Sequence, residues 1–209
     1  MKPEIVRPEE IEKRSFEIIS AELAQAGIRL DERYASVIMR CIHTSADFDY
    51  ADTLAFSENA VGRMRELIRD GADIVTDTSM SMAGINKKVL GSYGGKVRCF
   101  MADEDVAREA KARGVTRAAV SMERACALKK DVIFAIGNAP TALIRLHEMM
   151  EEGVYAPKFV IGVPVGFVNV VQAKELFIRS GVPYIINRGR KGGSNIAAAI
   201  CNAVLYSME

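Results

Sequence analysis

Residues 131–153 read "DVIFAIGNAPTALIRLHEMMEEG": an apolar run over Val132–Ile136, a turn carrying Gly137 and Pro140, then an amphipathic stretch rich in Leu and Met. A short unbroken apolar run suits a strand covered on both faces, and the periodic stretch after it suits a helix. The same succession recurs. Residues 73–76, 97–101, 159–163 and 184–186 are short and apolar, and each is followed by a segment of helical character, the last over 194–208. This alternation predicts an α/β fold built on a doubly wound, mainly parallel five-stranded sheet.

The chain ahead of these runs has a different pattern. Pro8 suits a helix start and Gly27 a stop, with Ile11, Ile18, Ile19 and Leu23 apolar between them. A second helix is expected from Asp31 as cap to about His43, and a third from Ser57 as cap to Gly71, weakened by Gly62. One domain over residues 1–209 follows, with a helical N-terminal extension over 1–70 and the sheet core over 71–209.

Composition narrows the function. Hydrophobic residues make up 49% and charged residues 26%, an ordinary globular balance. The net charge of +1 supplies no global field toward nucleic acid or a lipid surface, so an anionic ligand must be held by local groups. Cys41, Cys99, Cys126 and Cys201 form no C-x-x-C pair, and with only His43 and His147 beside them no metal cluster assembles by spacing. Free thiols and a charged N-terminal stretch, MKPEIVRPEEIEKRSF, fit a cytoplasmic protein. The uncharged runs over 159–173 and 192–208 are broken by Pro164, Gly166, Asn169, Ser194, Asn195 and Asn202, so neither reads as a membrane span.

In doubly wound sheets ligands bind beyond the carboxyl ends of the strands. Three such exits stand out: GNAPTAL over 137–143, GVPVGFVN over 162–169 and NRGRKGGSN over 187–195. Glycine lets main-chain N–H groups approach a ligand, and a helix start favours negative charge. Asn138, Arg190, Gly192, Gly193 and Ser194 are the candidate pocket residues. Taken singly each exit is only a turn; the three together read as a site for phosphates or carboxylates. Nucleotide fingerprints are missing. GRKGGS departs from G-x-G-x-x-G, and GSYGGKV over 91–97 departs from a phosphate loop in spacing and in placing Val97 where a hydroxyl is required.

Three polar residues of the extension complete the reading. Ser15 falls within the arc of Ile11, Ile18, Ile19 and Leu23, where it either bonds its own helix at residue i−4 or faces a ligand. His43 lies nearly opposite Tyr34, Val37, Ile38 and Cys41, with Arg40 one turn back. That pair is either a solvated face or the border of the cleft, with Arg40 binding an anion and His43 sharing a proton. Asp47, Asp49 and Asp52 either orient His43 or are surface charges, and His147 reads as structural.

With these segments placed, the chain resembles the precorrin-8X methylmutase family of corrinoid biosynthesis over nearly its whole length. The resemblance rests on EKRSF, RCIH, GNAPTAL, GVPVGFVNVV and GRKGGSN. It implies a catalytic His43, substrate contacts from Ser15 and Arg40, and a homodimer with active sites near the subunit interface. It also implies migration of a methyl group from ring carbon eleven to carbon twelve of an anionic tetrapyrrole. No cofactor is expected, since the migrating group is already on the substrate and any cobalt belongs to it. HTSADFDY over 43–50 resembles the cobalt-dependent, anaerobic branch more than the cobalt-free one. A methyltransferase using S-adenosylmethionine and a non-catalytic tetrapyrrole carrier are the competing readings.

Overall fold

Because successive side chains of a strand point to opposite faces, an apolar strand in the middle of a sheet must feed two cores. Both cores are present. The computed structural model describes residues 4–208; the first three residues of the charged N-terminal stretch, and Glu209, lie outside the described residues. A 3-10 turn, Pro8–Glu10, leads into α1 (Ile11–Gln25), α2 (Ala35–Ser45), the one-turn α3 (Tyr50–Thr53) and β1 (Leu54–Phe56). Next come α4 (Ala60–Arg69), β2 (Asp73–Thr76), α5 (Ser79–Gly84), α6 (Lys87–Ser92) and β3 (Val97–Arg98). The remainder runs α7 (Glu104–Arg113), α8 (Arg117–Cys126), β4 (Val132–Ile136), α9 (Pro140–Glu151), β5 (Phe159–Gly162), α10 (Val170–Ile178), β6 (Tyr184–Asn187) and α11 (Ser194–Tyr206).

The strands form one sheet in the order β1-β6-β5-β4-β2-β3, parallel throughout except where β1 runs antiparallel to β6. Ile133, Ala135, Phe159, Ile161 and Ile185 join a core closed by α2, α4 and α11. Phe134, Ile136, Val160 and Ile186 join the opposite core, closed by α8, α9 and α10. Apart from Ala135, each of these fully buried side chains contributes roughly 1.5–3 kcal/mol, so the division between two faces holds the sheet at both sides. The α/β, mainly parallel and doubly wound reading stands.

Several boundaries differ from those expected. The sheet has a sixth strand, β1, inside the segment read as a helical extension; three residues are too few for a periodic signal. The strand expected over 97–101 pairs only at Val97–Arg98. The second helix begins at Ala35 rather than beside Asp31, whose carbonyl closes a preceding turn by accepting from Tyr34 and Ala35. Ser57 does not cap α4 with its hydroxyl; that oxygen accepts from the Tyr184 N–H at 2.9 Å, continuing the β1–β6 pairing. All four cysteines are free, and burial pushes the Cys41 thiol up and the Cys201 thiol up to about 12.

α11 packs chiefly on α2, and α2 carries α1 on its outer side. Arg40 and Met39 lie beside Ala203, Tyr206 and Ser207 near the end of α11, so α2 runs antiparallel to α11 and its carboxyl end points toward the strand exits. Among the described residues no helix is long and apolar enough to cross a membrane.

Candidate active site

The strand exits meet through their main chains. A side-chain carbon on Gly137 would lie 2.7 Å from the Ser194 Cα and 2.8 Å from the Gly193 oxygen, and one on Gly192 would lie 2.0 Å from the Val163 oxygen. Gly192 and Gly193 also hold φ of 152° and 139°, conformations open to glycine. Gly193 N–H donates to the Val163 oxygen at 2.9 Å, and Gly166 N–H to the Arg190 oxygen at 3.2 Å. The exits after β4, β5 and β6 are therefore one surface. The exit after β2 joins them, because the Thr78 and Ser194 hydroxyls are 2.8 Å apart and Ser81 donates to the Ser194 oxygen at 3.1 Å.

Asp77, fully buried, holds the GNAP turn in place. Its carboxylate accepts from the N–H groups of Gly137, Asn138 and Ala139 at 2.9, 2.8 and 2.6 Å. Burial pushes its pKa up, and the three N–H donors act against that shift. Asn138 itself is exposed, its side chain free to face a ligand.

The loop after β6 is fixed from beneath. Lys174, at 0% exposure, donates from Nζ to the main-chain oxygens of Gly189 and Lys191, each at 2.8 Å. Asn187, also buried, donates to the Lys191 oxygen at 2.9 Å and the Arg188 oxygen at 3.2 Å. Above, the Lys191 ammonium reaches across to Asp47, at 2.6 Å, and to Asp49. Both carboxylates lie just past the end of α2. Arg190 stays exposed, with its guanidinium 5.2 Å from the ring centre of Phe167 in the loop after β5.

His43 occupies the last two turns of α2, exposed, in a shallow depression of about 260 Å³ lined by Ser15, Ile18, Glu22, Ala46 and Phe48. Its ring centre is 5.3 Å from that of Phe16, tilted by 45°. Ser15 bonds its own helix, donating to the Ile11 oxygen at 2.9 Å, yet borders the same depression. Of the two readings of this serine, the bond to residue i−4 is the one present. Arg40 lines a neighbouring hollow instead, its guanidinium 4.9 Å from the Phe16 ring centre and 5.4 Å from that of Tyr206. It donates to Glu12 at 2.6 Å, and this bond, with the charges of Arg40 and His43 adding to it, holds the Glu12 carboxyl below the usual range. Phe16 stands between the two groups and touches both.

The structure thus unites Asn138, Arg190, Gly192, Gly193 and Ser194 in one exit surface, and joins Ser15 with His43 in one depression. Lys191 with Asp47 and Asp49 connects the two; those aspartates engage Lys191 rather than His43, while Asp52 is exposed. His147 packs its ring against Phe177 on the opposite side of the sheet, with Glu151 3.8 Å away, a structural placement. Sequence reasoning missed Asp77 and Lys174. Both had signals: a polar TDTS run directly follows the β2 apolar residues, and Lys174 falls on the helical arc of Val170, Ala173 and Phe177.

Comparison with known proteins adds an independent line. The family model for precorrin-8X methylmutase matches residues 10–207. The chain is 43% identical to the cobalt-precorrin-8 methylmutase of Salmonella typhimurium, covering 98% of each chain. It is 42% identical to that of Priestia megaterium, covering 97% of this chain and 89% of the relative. A solved precorrin-8X methyl mutase from Thermus thermophilus superposes with a TM-score of 0.83 at 36% identity, covering 94% of this chain and 96% of that one.

Proposed function

Since the chain belongs to the precorrin-8X methylmutase family, we propose that the family's reaction is carried out at the depression around His43, with the glycine-rich exits cradling the substrate's carboxylates. The protein is an isomerase of corrinoid biosynthesis: it moves a methyl group from ring carbon eleven to carbon twelve of precorrin-8X or cobalt-precorrin-8, giving hydrogenobyrinate or cobyrinate. The relatives' names and HTSADFDY favour cobalt-precorrin-8 as the substrate. Cobalt then arrives inside the macrocycle, and the chain supplies no cofactor of its own.

The observation that carries the assignment is the pairing of Ser15 with His43 in one open depression, joined by Lys191 to the strand-exit surface. A methyl shift around a conjugated ring needs the ring immobilised and its electrons biased toward the product. Immobilisation falls to Arg40, Ser15 and the exits, acting on a flat molecule rimmed by carboxylates. The bias falls to His43. With cobalt on the ring nitrogens, these no longer accept a proton, and the imidazole acts by donating a hydrogen bond to the edge of the conjugated system. A positioned hydrogen-bond donor of this kind is worth about 10²–10³ in rate, or roughly 2.7–4 kcal/mol.

A depression of about 260 Å³ is smaller than the roughly 300–1,000 Å³ of ordinary ligand pockets, and a tetrapyrrole exceeds it. Ile11 and Ile18 on α1, and Phe167 and Val168 in the loop after β5, expose 53, 40, 80 and 79% of their surface. Apolar surface of this kind favours a second copy of the chain completing the wall, that is, a homodimer.

The test is conversion of cobalt-precorrin-8 by purified protein with no methyl donor, followed by absorbance and product mass. A changed spectrum at constant mass is expected. A mass gain that requires a donor identifies a methyltransferase, and a stoichiometric shift without turnover identifies a carrier; either result overturns the assignment.

A further inference from the structure

A buried ammonium without a carboxylate partner is costly, and a methionine of similar length would fill the space without that penalty. Among the described residues Lys174 has no carboxylate within ion-pairing distance; its two partners are main-chain oxygens of the loop after β6. Asn187 draws the Arg188 and Lys191 oxygens to the same inner side. In a trans peptide the N–H points away from the C=O. With the carbonyls of residues 188, 189 and 191 turned inward, the N–H groups of Gly189, Arg190 and Gly192 are turned outward. None of these three donors finds an acceptor among the described residues. Successive outward N–H groups form a concavity that binds anions.

We propose that Lys174 is a positioning residue that turns the loop over 188–193 into a carboxylate-binding nest, the N–H groups of Gly189, Arg190 and Gly192 holding one acidic side chain of the substrate. This rests on the reading that the exits cradle the substrate. It deepens that reading by naming main-chain donors where only glycines and basic side chains were visible. The Arg190 guanidinium, held beside Phe167, supplies charge to the same group, and Lys191 is occupied with Asp47 and Asp49. Burial lowers the Lys174 pKa to about 8, yet a neutral amine still carries two protons for its two oxygens, so the nest persists above that pH.

The experiment compares Lys174→Met and Arg190→Ala with the wild type in steady-state conversion of cobalt-precorrin-8, alongside thermal melts. The expected result for Lys174→Met is a cooperative melt, a KM raised about tenfold and a kcat little changed, the pattern of lost binding that is uniform between ground and transition states. A folded Lys174→Met with unaltered KM while Arg190→Ala raises it overturns the nest alone. Unaltered KM in both variants overturns the cradle reading as well. Independently of any variant, product added to isotope-labelled wild type should shift the amide resonances of Arg190 and Gly192. Silence at both overturns the proposal even if Lys174→Met fails to fold.

Discussion

His43 is the proposed donor to the reacting ring, so His43→Ala should lower kcat by about 10²–10³ while the dissociation constant for substrate changes little, measured by single-turnover kinetics and absorbance titration. Asp77 acts on main chain only. Asp77→Asn places an amide against three N–H donors and should cost about 1–3 kcal/mol in urea unfolding, with activity falling as the GNAP turn loosens. For Lys174 the sign of the pH effect follows from its lowered value. Between about 8 and the ordinary lysine range the unfolded chain holds a proton that the folded chain has released, so stability from this group rises with pH across that window. The stability gap between wild type and Lys174→Met should therefore shift by about 1–3 kcal/mol toward the wild type from pH 7.5 to pH 10. The Lys191 tie to Asp47 has the same sign in a more acidic window. Its hydrogen bond holds the Asp47 carboxyl below the ordinary range, so the contribution is complete above that range and is lost as acid protonates the carboxylate.

At the scale of elements, α1 shows what sequence periodicity conveys and what it leaves out. The apolar arc of Ile11, Ile18, Ile19 and Leu23 was legible, and Ile19 and Leu23 are buried, but Ile11 and Ile18 stay open because α1 packs chiefly on α2 alone among the helices. A pattern of side chains gives a face and does not give the width of its partner. The glycine-rich exits were legible as turns near a site, since residue type alone restricts the backbone there. Their contact with one another was not, because it depends on β4, β5 and β6 standing side by side in the sheet. Gly192→Ala tests that contact. A methyl group 2.0 Å from the Val163 oxygen, on a backbone with φ of 152°, should destabilise the fold by several kcal/mol, about 3 or more, or displace the loop and abolish turnover. Thermal melting with an activity assay separates these outcomes. If the exposed isoleucines do meet a second copy, Ile18→Lys should shift sedimentation from dimer to monomer and reduce activity.

Over the whole molecule, the mainly parallel sheet and its two cores followed from the alternation of apolar runs and helical stretches, whereas the order of the strands within the sheet did not. Ser15 and His43, by contrast, lie 28 positions apart in sequence and meet only because α1 folds back along α2. No local pattern encodes such a meeting, and the family motifs supplied it. The sheet has one further consequence. Its outer strands are β1, three residues long and antiparallel, and β3, two residues long with Arg98 tied to the buried Asp73. Neither rim offers a ladder of free amides long enough to template a strand from a neighbouring molecule. Association between copies is thereby steered away from sheet extension and onto helix and loop faces, and the chain is guarded against fibrous growth.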